Sequence, residues 1–373
     1  MVRVALHFIT VALALGCGRA PLPVLGPRPP ASNADTQASA WPEADALFRG
    51  DPKFLGGDAA VSVPLGDERV LWLFGDSFVA TQAGQTRDAA AFVRNSVAVQ
   101  LGADPTHASL RLFVGTTAEG APTAFFEDPQ GGWFWPGHGL LLDGALTLFL
   151  ERMQPDASAA GLGFRAAGFA VVRIDNPEAD PVAWHIVAVP TPDQGELGLV
   201  GVSVLLAGQH VYAYAVREPG DHAVMLLRWP RAAFSRGELM HPQRWTGAAQ
   251  GFRDDGAAAV VIPDGAAELS VSPDPRGGYV EVQSHGFGAA PIELRFSRAP
   301  EGPWTNAVRW YRPAGTPPAS ELWYAGRAHP ELRGADLIVT YATNSLDHDR
   351  LLNDMGLYFP RFVRSRLGRA LSP

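Results

Sequence analysis

The chain has 373 residues, 47% of them hydrophobic, with 40 Gly and 32 Pro, which is ample for a sizeable core and too apolar for disorder. A net charge of −8 without any Lys/Arg cluster argues against nucleic acid, whose phosphates select basic surfaces, and leaves neutral or cationic partners. The lone cysteine, Cys17, excludes an internal disulfide.

Val2 to Gly16 carries one arginine and a short apolar run, too short to span a bilayer, and so predicts a secretory signal. Cys17 follows small residues directly, the pattern of a bacterial lipoprotein whose cysteine becomes the lipidated first residue; plain secretion with an incidental cysteine is the alternative. Residues 18–40 are rich in Pro, Ser and Ala without periodicity, which predicts a disordered tether. Residues 41–363 form one folded domain in this reading, and 364–373 a short basic tail.

The folded part opens on FLGGDAAVSVPLGDERVLWLFGDSF, Phe54 to Phe78, two apolar runs about a Gly66-Asp67 turn. Turn chemistry of this kind signals a hairpin, and Val70 to Phe74 reads as a strand buried on both faces. With the turn centred near Asp67, paired positions sum to about 134, which sets Asp58 across from Asp76. Side chains directly opposed in a ladder have Cβ atoms only ~5 Å apart, so the two carboxylates disfavour each other's ionised forms.

Helical periodicity is nearly absent downstream. A strand, a turn, a second strand and, after a variable loop, a third strand recur instead. Second strands begin near Val70, Leu146, Val211, Tyr279 and Leu337, and third strands near Arg94, Ala167, Ala223, Pro291 and Gly356. Five such units predict an all-β, five-bladed β-propeller, with a β-sandwich or two-domain all-β protein as the alternative. Residues 234–263, between the third and fourth units, match no known pattern, and the third unit supplies no acid.

In a propeller the start of each innermost strand lies beside the end of the second strand, so equivalent polar residues converge at one mouth. These are Asp58 and Asp76, His138 and Glu151, Ser203 and Arg217, Glu268 and His285, and His329 and Asn344. Glu268, inside the otherwise apolar AAELSVS, has no turn role to explain it. Glu151 reads as a solvated ion pair with Arg152 or Arg165. Trp133, Trp135, Trp323 and Tyr324 could offer stacking faces to sugar rings. No metal, serine-nucleophile or phosphate-loop motif is present, so no cofactor is expected, although an axial ion would leave no sequence motif.

LWLFGDSF after GGDAAVSV, then NSVA, AELSVSP, SRAPEGPW, and AHPEL followed by TYATNS resemble a bacterial five-bladed propeller family, formerly of unknown function, that includes endo-D-arabinanases. The resemblance runs from about Phe54 to Val363 and extends in fold to arabinanase, invertase and levansucrase propellers, which cleave furanosides with axial carboxylates. It implies that Asp58 and Asp76 match paired acidic positions and Glu268 a further one. The chemistry agrees, because glycoside hydrolysis needs one protonated and one ionised carboxyl. The expected function is a lipid-anchored cell-envelope glycoside hydrolase acting on arabinofuranose-type or related polysaccharide. Asp58, Asp76 and Glu268 would be catalytic, and His329, His138, Asn344, Trp135, Arg217 and His285 would bind substrate. A non-catalytic propeller lipoprotein that binds glycan or a protein partner is the alternative; a close Asp pair serves a binder poorly.

Overall fold

The computed structural model describes residues 38–158, 163–192, 197–286, 288–314 and 320–365. The signal, Cys17, the tether as far as residue 37 and the tail from 366 lie outside the described residues.

The protein is all-β. Its hairpin pairs Val61 with Leu73, Ser62 with Trp72, Val63 with Leu71 and Pro64 with Val70, all on the register expected from the sequence. The turn itself sits one residue later than expected. Asp67 (φ 50°) and Glu68 (φ 57°) are its two left-handed central residues, the geometry that matches the natural twist of two-residue hairpins. At the other end the Asp58 N–H donates to the Asp76 carbonyl and the Gly75 N–H to the Asp58 carbonyl, both at 2.9 Å. One residue thus faces two, a β-bulge of the kind that re-aims side chains beside active sites.

Five antiparallel sheets follow in chain order. The first contains Val61–Gly66, Arg69–Phe74, Ser96–Leu101 and Ser109–Phe113, and the second Trp133–Leu142, Ala145–Pro155, Phe164–Ile174 and Ile186–Val189. Leu199–Ala207, His210–Val216 and Val224–Pro230 begin the third; Ser270–Pro273, Tyr279–Ser284, Ile292–Ser297 and Val308–Tyr311 make the fourth. In the fifth, Glu321–Ala328, Leu337–Ser345 and Arg361–Ser365 are joined by Ser39–Ala40 from the start of the chain. Ser39 pairs with Arg364 and Ala40 with Val363. The expected tether and tail boundaries therefore both move by two residues, because this pairing satisfies an edge that would otherwise be open.

Residues 234–263 extend the third sheet. Gln243–Trp245, Phe252–Arg253 and Val260–Ile262 add strands to it, while Phe234 is buried and the Trp229 indole donates to the Leu239 carbonyl.

Arg69–Phe74, residues 145–150 and His210–Val216 are buried on both faces, which is why they read as largely apolar runs; Tyr279–Ser284 is as buried but carries Glu281 and Gln283. Trp72 and Phe74 of the first sheet pack with Phe362 of the fifth around Phe48. Further cores join the first sheet to the second through Leu71 and Leu148, the second to the third through Phe149 and Trp229, the third to the fourth through Leu226 and Val271, and the fourth to the fifth through Val282 and Val339. The first strands of neighbouring sheets touch in order from the first sheet to the fifth. Three of them are irregular near their starts, between Pro136 and Gly139, Val200 and Ser203, and Tyr324 and Arg327.

Beside these starts lies a small sheet of Phe54–Gly57, Ser77–Val79 and Ala91–Val93. The buried Arg87 holds it against the 347–358 segment by donating to the carbonyls of Leu55, Leu351, Asp354 and Leu357.

Candidate active site

Asp58 and Asp76 meet at the bulge with different partners. The Asp58 Oδ1 accepts from the Tyr324 hydroxyl at 2.5 Å and from the Ala59 N–H at 2.7 Å; its Oδ2 takes no partner among the described residues. Asp76 has both oxygens engaged, Oδ1 by the Trp135 indole N–H at 3.0 Å and Oδ2 by Arg94 at 3.1 Å. Although 16% of the Asp76 side chain is open to solvent, it is surrounded by protein, and that burial raises it to about 6 against the pull of Arg94 and Trp135. Burial also raises Asp58, against the hydrogen bonds from Tyr324 and Ala59.

Glu268 enters from the turn that precedes Ser270–Pro273. Burial raises it to about 7, and the Asp58 charge pushes the same way. Glu151, 6% exposed, is raised well above the ordinary range by burial and then by Glu268. The expected surface pairing of Glu151 does not form, because Arg152 lies against Asp128 and Arg165 against Asp156. It stands across the ladder from Trp135, inside the acidic group. Arg327 is the buried cation of this group. It donates to the carbonyls of Val202 at 2.7 Å and Glu268 at 3.3 Å, and burial lowers it to about 10 against the attraction of Glu151, Glu268 and Glu331. Tyr358 completes the surround, raised by burial and by the charges of Asp58 and Asp76.

The expected substrate-binding residues fare differently. The His138 Nδ1 accepts from the Val204 N–H at 2.9 Å, which leaves Nε2 to donate to the Ser62 carbonyl at 3.1 Å. That neutral ring straps three first strands together, and burial and Arg327 lower it to about 3. His329, 1% exposed, is held between the Ser62 and Thr340 hydroxyls at 2.6 and 2.7 Å and lies against Trp72. Both ring nitrogens of each histidine are thus engaged by the protein. The expected pairing of His329 with Asn344 fails because Asn344 pairs with Leu322, so His329 falls beyond the other end of its strand.

Asn344 instead donates to the Tyr324 hydroxyl at 3.2 Å. Trp135 reaches the site through its indole N–H, while its ring packs edge-on against Trp133 and Phe164. Arg217 turns to Asp221 at 2.8 Å. His285 is exposed; Ser270 pairs with Val282, one residue short of the expected register, which sets Ser284 rather than His285 across from Glu268 and sends the histidine to the other face. Ser203 is spent on the Val271 backbone. Among the described residues no group of three His, Cys, Asp or Glu side chains is arranged to hold a metal.

Sequence reasoning missed Arg327, Arg94 and Tyr358, and saw in Tyr324 only a stacking face. Arg327 carried a usable signal, since a charge inside ELWYAGRA is as anomalous as Glu268 inside AAELSVS.

A family model described as a domain of unknown function, DUF5005, matches residues 43–366. No curated protein matches the sequence. The fold is shared with a Bacteroides ovatus protein provisionally assigned as a hydrolase, at 17% identity and a TM-score of 0.69, over 89% of this chain and 92% of that one. A Podospora anserina α-L-arabinofuranosidase determined with cellotriose superposes at 11% identity and 0.49, over 85% and 93%. A Bacteroides thetaiotaomicron endo-arabinase does so at 13% and 0.46, over 84% and 95%.

Proposed function

We propose that this chain, which belongs to the DUF5005 family, is a glycoside hydrolase acting on arabinofuranose-type or related polysaccharide. One observation carries the reading: Asp58, whose Oδ2 takes no partner among the described residues, faces a carboxyl, Glu268, that burial holds protonated up to about pH 7. Glycosidic cleavage needs this pair of states, a proton donor for the leaving oxygen and an ionised carboxylate that attacks or activates water.

In this mechanism Glu268 is the acid and Asp58 the base or nucleophile. Asp76, clamped by Arg94 and Trp135, does not react; the Asp58 charge raises it further from across the bulge. The Asp58 charge disfavours loss of the Glu268 proton, Arg327 limits how far that pKa climbs, and Glu268 in turn keeps Glu151 protonated. The five sheets are the five blades of a propeller, closed by Ser39–Ala40. The furanoside class rests on the sequence resemblance, as does the endo-D-arabinanase specificity. Cys17 is the lipidated residue, and residues 18–37 link the domain to the cell envelope.

The test is release of reducing sugar by the purified protein from a panel of arabinans and related polysaccharides, with Asp58→Asn and Glu268→Gln as controls. Hydrolysis lost ~10²- to 10⁴-fold in both variants, at unchanged melting temperature, supports the assignment. Hydrolysis retained in both overturns it.

A further inference from the structure

The geometry points to Tyr324 and Asn344 as positioning residues: a hydrogen-bond relay from Asn344 through the Tyr324 hydroxyl that commits the Asp58 Oδ1 to the protein and leaves Oδ2 for the reacting molecule. The inference rests on Asp58 being the reacting carboxylate, as proposed above.

The relay is built into the fifth sheet. Tyr324 pairs with Ala342, so Asn344 sits diagonally from it on the same face, within reach of a long side chain. The Ser345 N–H donates to the Asn344 Oδ1 at 2.7 Å, which fixes the amide so that its Nδ2 faces the tyrosine. With the phenol oxygen accepting from Asn344, its hydrogen is left to point at Asp58.

The tyrosine's backbone is pinned on both sides. The Trp323 N–H donates to the Gly288 carbonyl at 2.6 Å and the Gly326 N–H to the Ser284 hydroxyl at 3.1 Å. A side chain at Gly326 would stand 2.5 Å from that same hydroxyl. Ala325, between them, is left-handed at φ 55°, and Ala59, next to Asp58, at φ 56°. Each costs ~1 to 2 kcal/mol for a residue with a Cβ. The two strained alanines therefore flank the two ends of one hydrogen bond, which aligns donor with acceptor.

The chemical consequence is specific. A donor to the ionised form of Asp58 opposes the burial that would otherwise protonate it. Asp58 is also faced by Asp76, Glu268 and Tyr358, with Arg94 behind Asp76 and Arg327 behind Glu268. None of these donates a hydrogen bond to it, so the relay and the Ala59 N–H are what favour its charged state.

Selective ¹³C labelling of aspartate side chains in the full chain, with the Asp58 resonance identified by its loss in Asp58→Asn, reads the ionisation directly. Tyr324→Phe should raise the Asp58 midpoint by about one to two pH units, the worth of a hydrogen bond to a charged group. Asn344→Ala should raise it by less, since it removes only the polarisation of the phenol. Trp135→Phe should move Asp76 more than Asp58. An unmoved Asp58 midpoint in folded Tyr324→Phe overturns the relay. If that variant does not fold, an unmoved midpoint in Asn344→Ala does so instead. A shifted midpoint in a protein that hydrolyses no glycan upholds the relay while the hydrolase reading fails. Retained hydrolysis with an unshifted midpoint does the reverse.

Discussion

Two groups of polar side chains lie along the first strands, and they are satisfied differently. His138, His329, Ser62, Ser203 and Thr340 have their ring nitrogens and hydroxyls matched to one another or to backbone groups. Near the strand starts, Asp58, Glu151 and Glu268 are buried with few donors to offset the burial, and their pKa values are raised. Burying a polar group with its partners costs little, whereas crowding carboxyls costs stability. Residue type alone would rank the histidines as the reactive groups; hydrogen-bond satisfaction ranks the acids first.

The largest expected effect breaks the comparison at the acids. Asp58→Asn and Glu268→Gln should cost ~10²- to 10⁴-fold in hydrolysis, and melting temperature should hold or rise, because like charges are relieved. Calorimetry beside the activity assay checks this; loss of activity through unfolding would make the acids structural.

His329→Ala should do the opposite. It strands the buried Thr340 hydroxyl, leaves Ser62 only Glu331 as a side-chain partner and opens space beside Trp72, costing roughly 3 kcal/mol in denaturant unfolding. Hydrolysis per folded molecule should stay near wild type.

Stability as a function of pH should separate the two groups by sign. Glu268 is raised in the native state from an ordinary 4.5 to about 7, so the folded form binds the proton more tightly. Its contribution is fully present below about 4.5 and is lost as pH rises through about 7. His138 is lowered from 6.5 to about 3, so its contribution is present above about 6.5 and is lost as pH falls. Urea unfolding at pH 5 and 8 should show Glu268→Gln gaining about 2 to 3 kcal/mol on wild type at the higher pH relative to the lower. His138→Asn should flatten the acid side instead.

Much of the fold was legible because β periodicity and turn chemistry are local. The second strands start at Arg69, Ala145, His210, Tyr279 and Leu337, each within a residue of its expected position. The hairpin register held through Pro64–Val70 because both flanking runs are buried and a slip would expose them. What failed depended on loops or on distant contacts. The 329–336 connection is longer than a tight turn, which displaced the His329–Asn344 pairing, and one residue at the 274–278 turn turned His285 outward. Tyr324 and Asp58 are 266 positions apart, and no local pattern could announce that bond. Glu151 was misread because Arg152, its neighbour in sequence, and Arg165, which pairs with Gln154, spend their charge on Asp128 and Asp156.

The smallest expected effect lies at the hairpin's far end, opposite the acids. Glu68 is left-handed at φ 57° in the second central position of the turn, where glycine is preferred and a Cβ costs about 1 kcal/mol or more. Glu68→Gly removes that strain but adds freedom to the unfolded chain, worth ~0.4 to 1 kcal/mol. It also breaks the Arg333–Glu68 pair, whose side chains are 71% and 54% exposed, so that loss is a few tenths at most. The balance is a gain of ~0.5 kcal/mol, with hydrolysis and the Asp58 midpoint unchanged. A net loss of stability would mean that the ion pair outweighs the strain, and Arg333→Ala alone would then show the same loss. If Arg333→Ala is neutral while Glu68→Gly is still destabilising, the turn's left-handed residues are not strained, and the parallel strain at Ala59 and Ala325 loses its support.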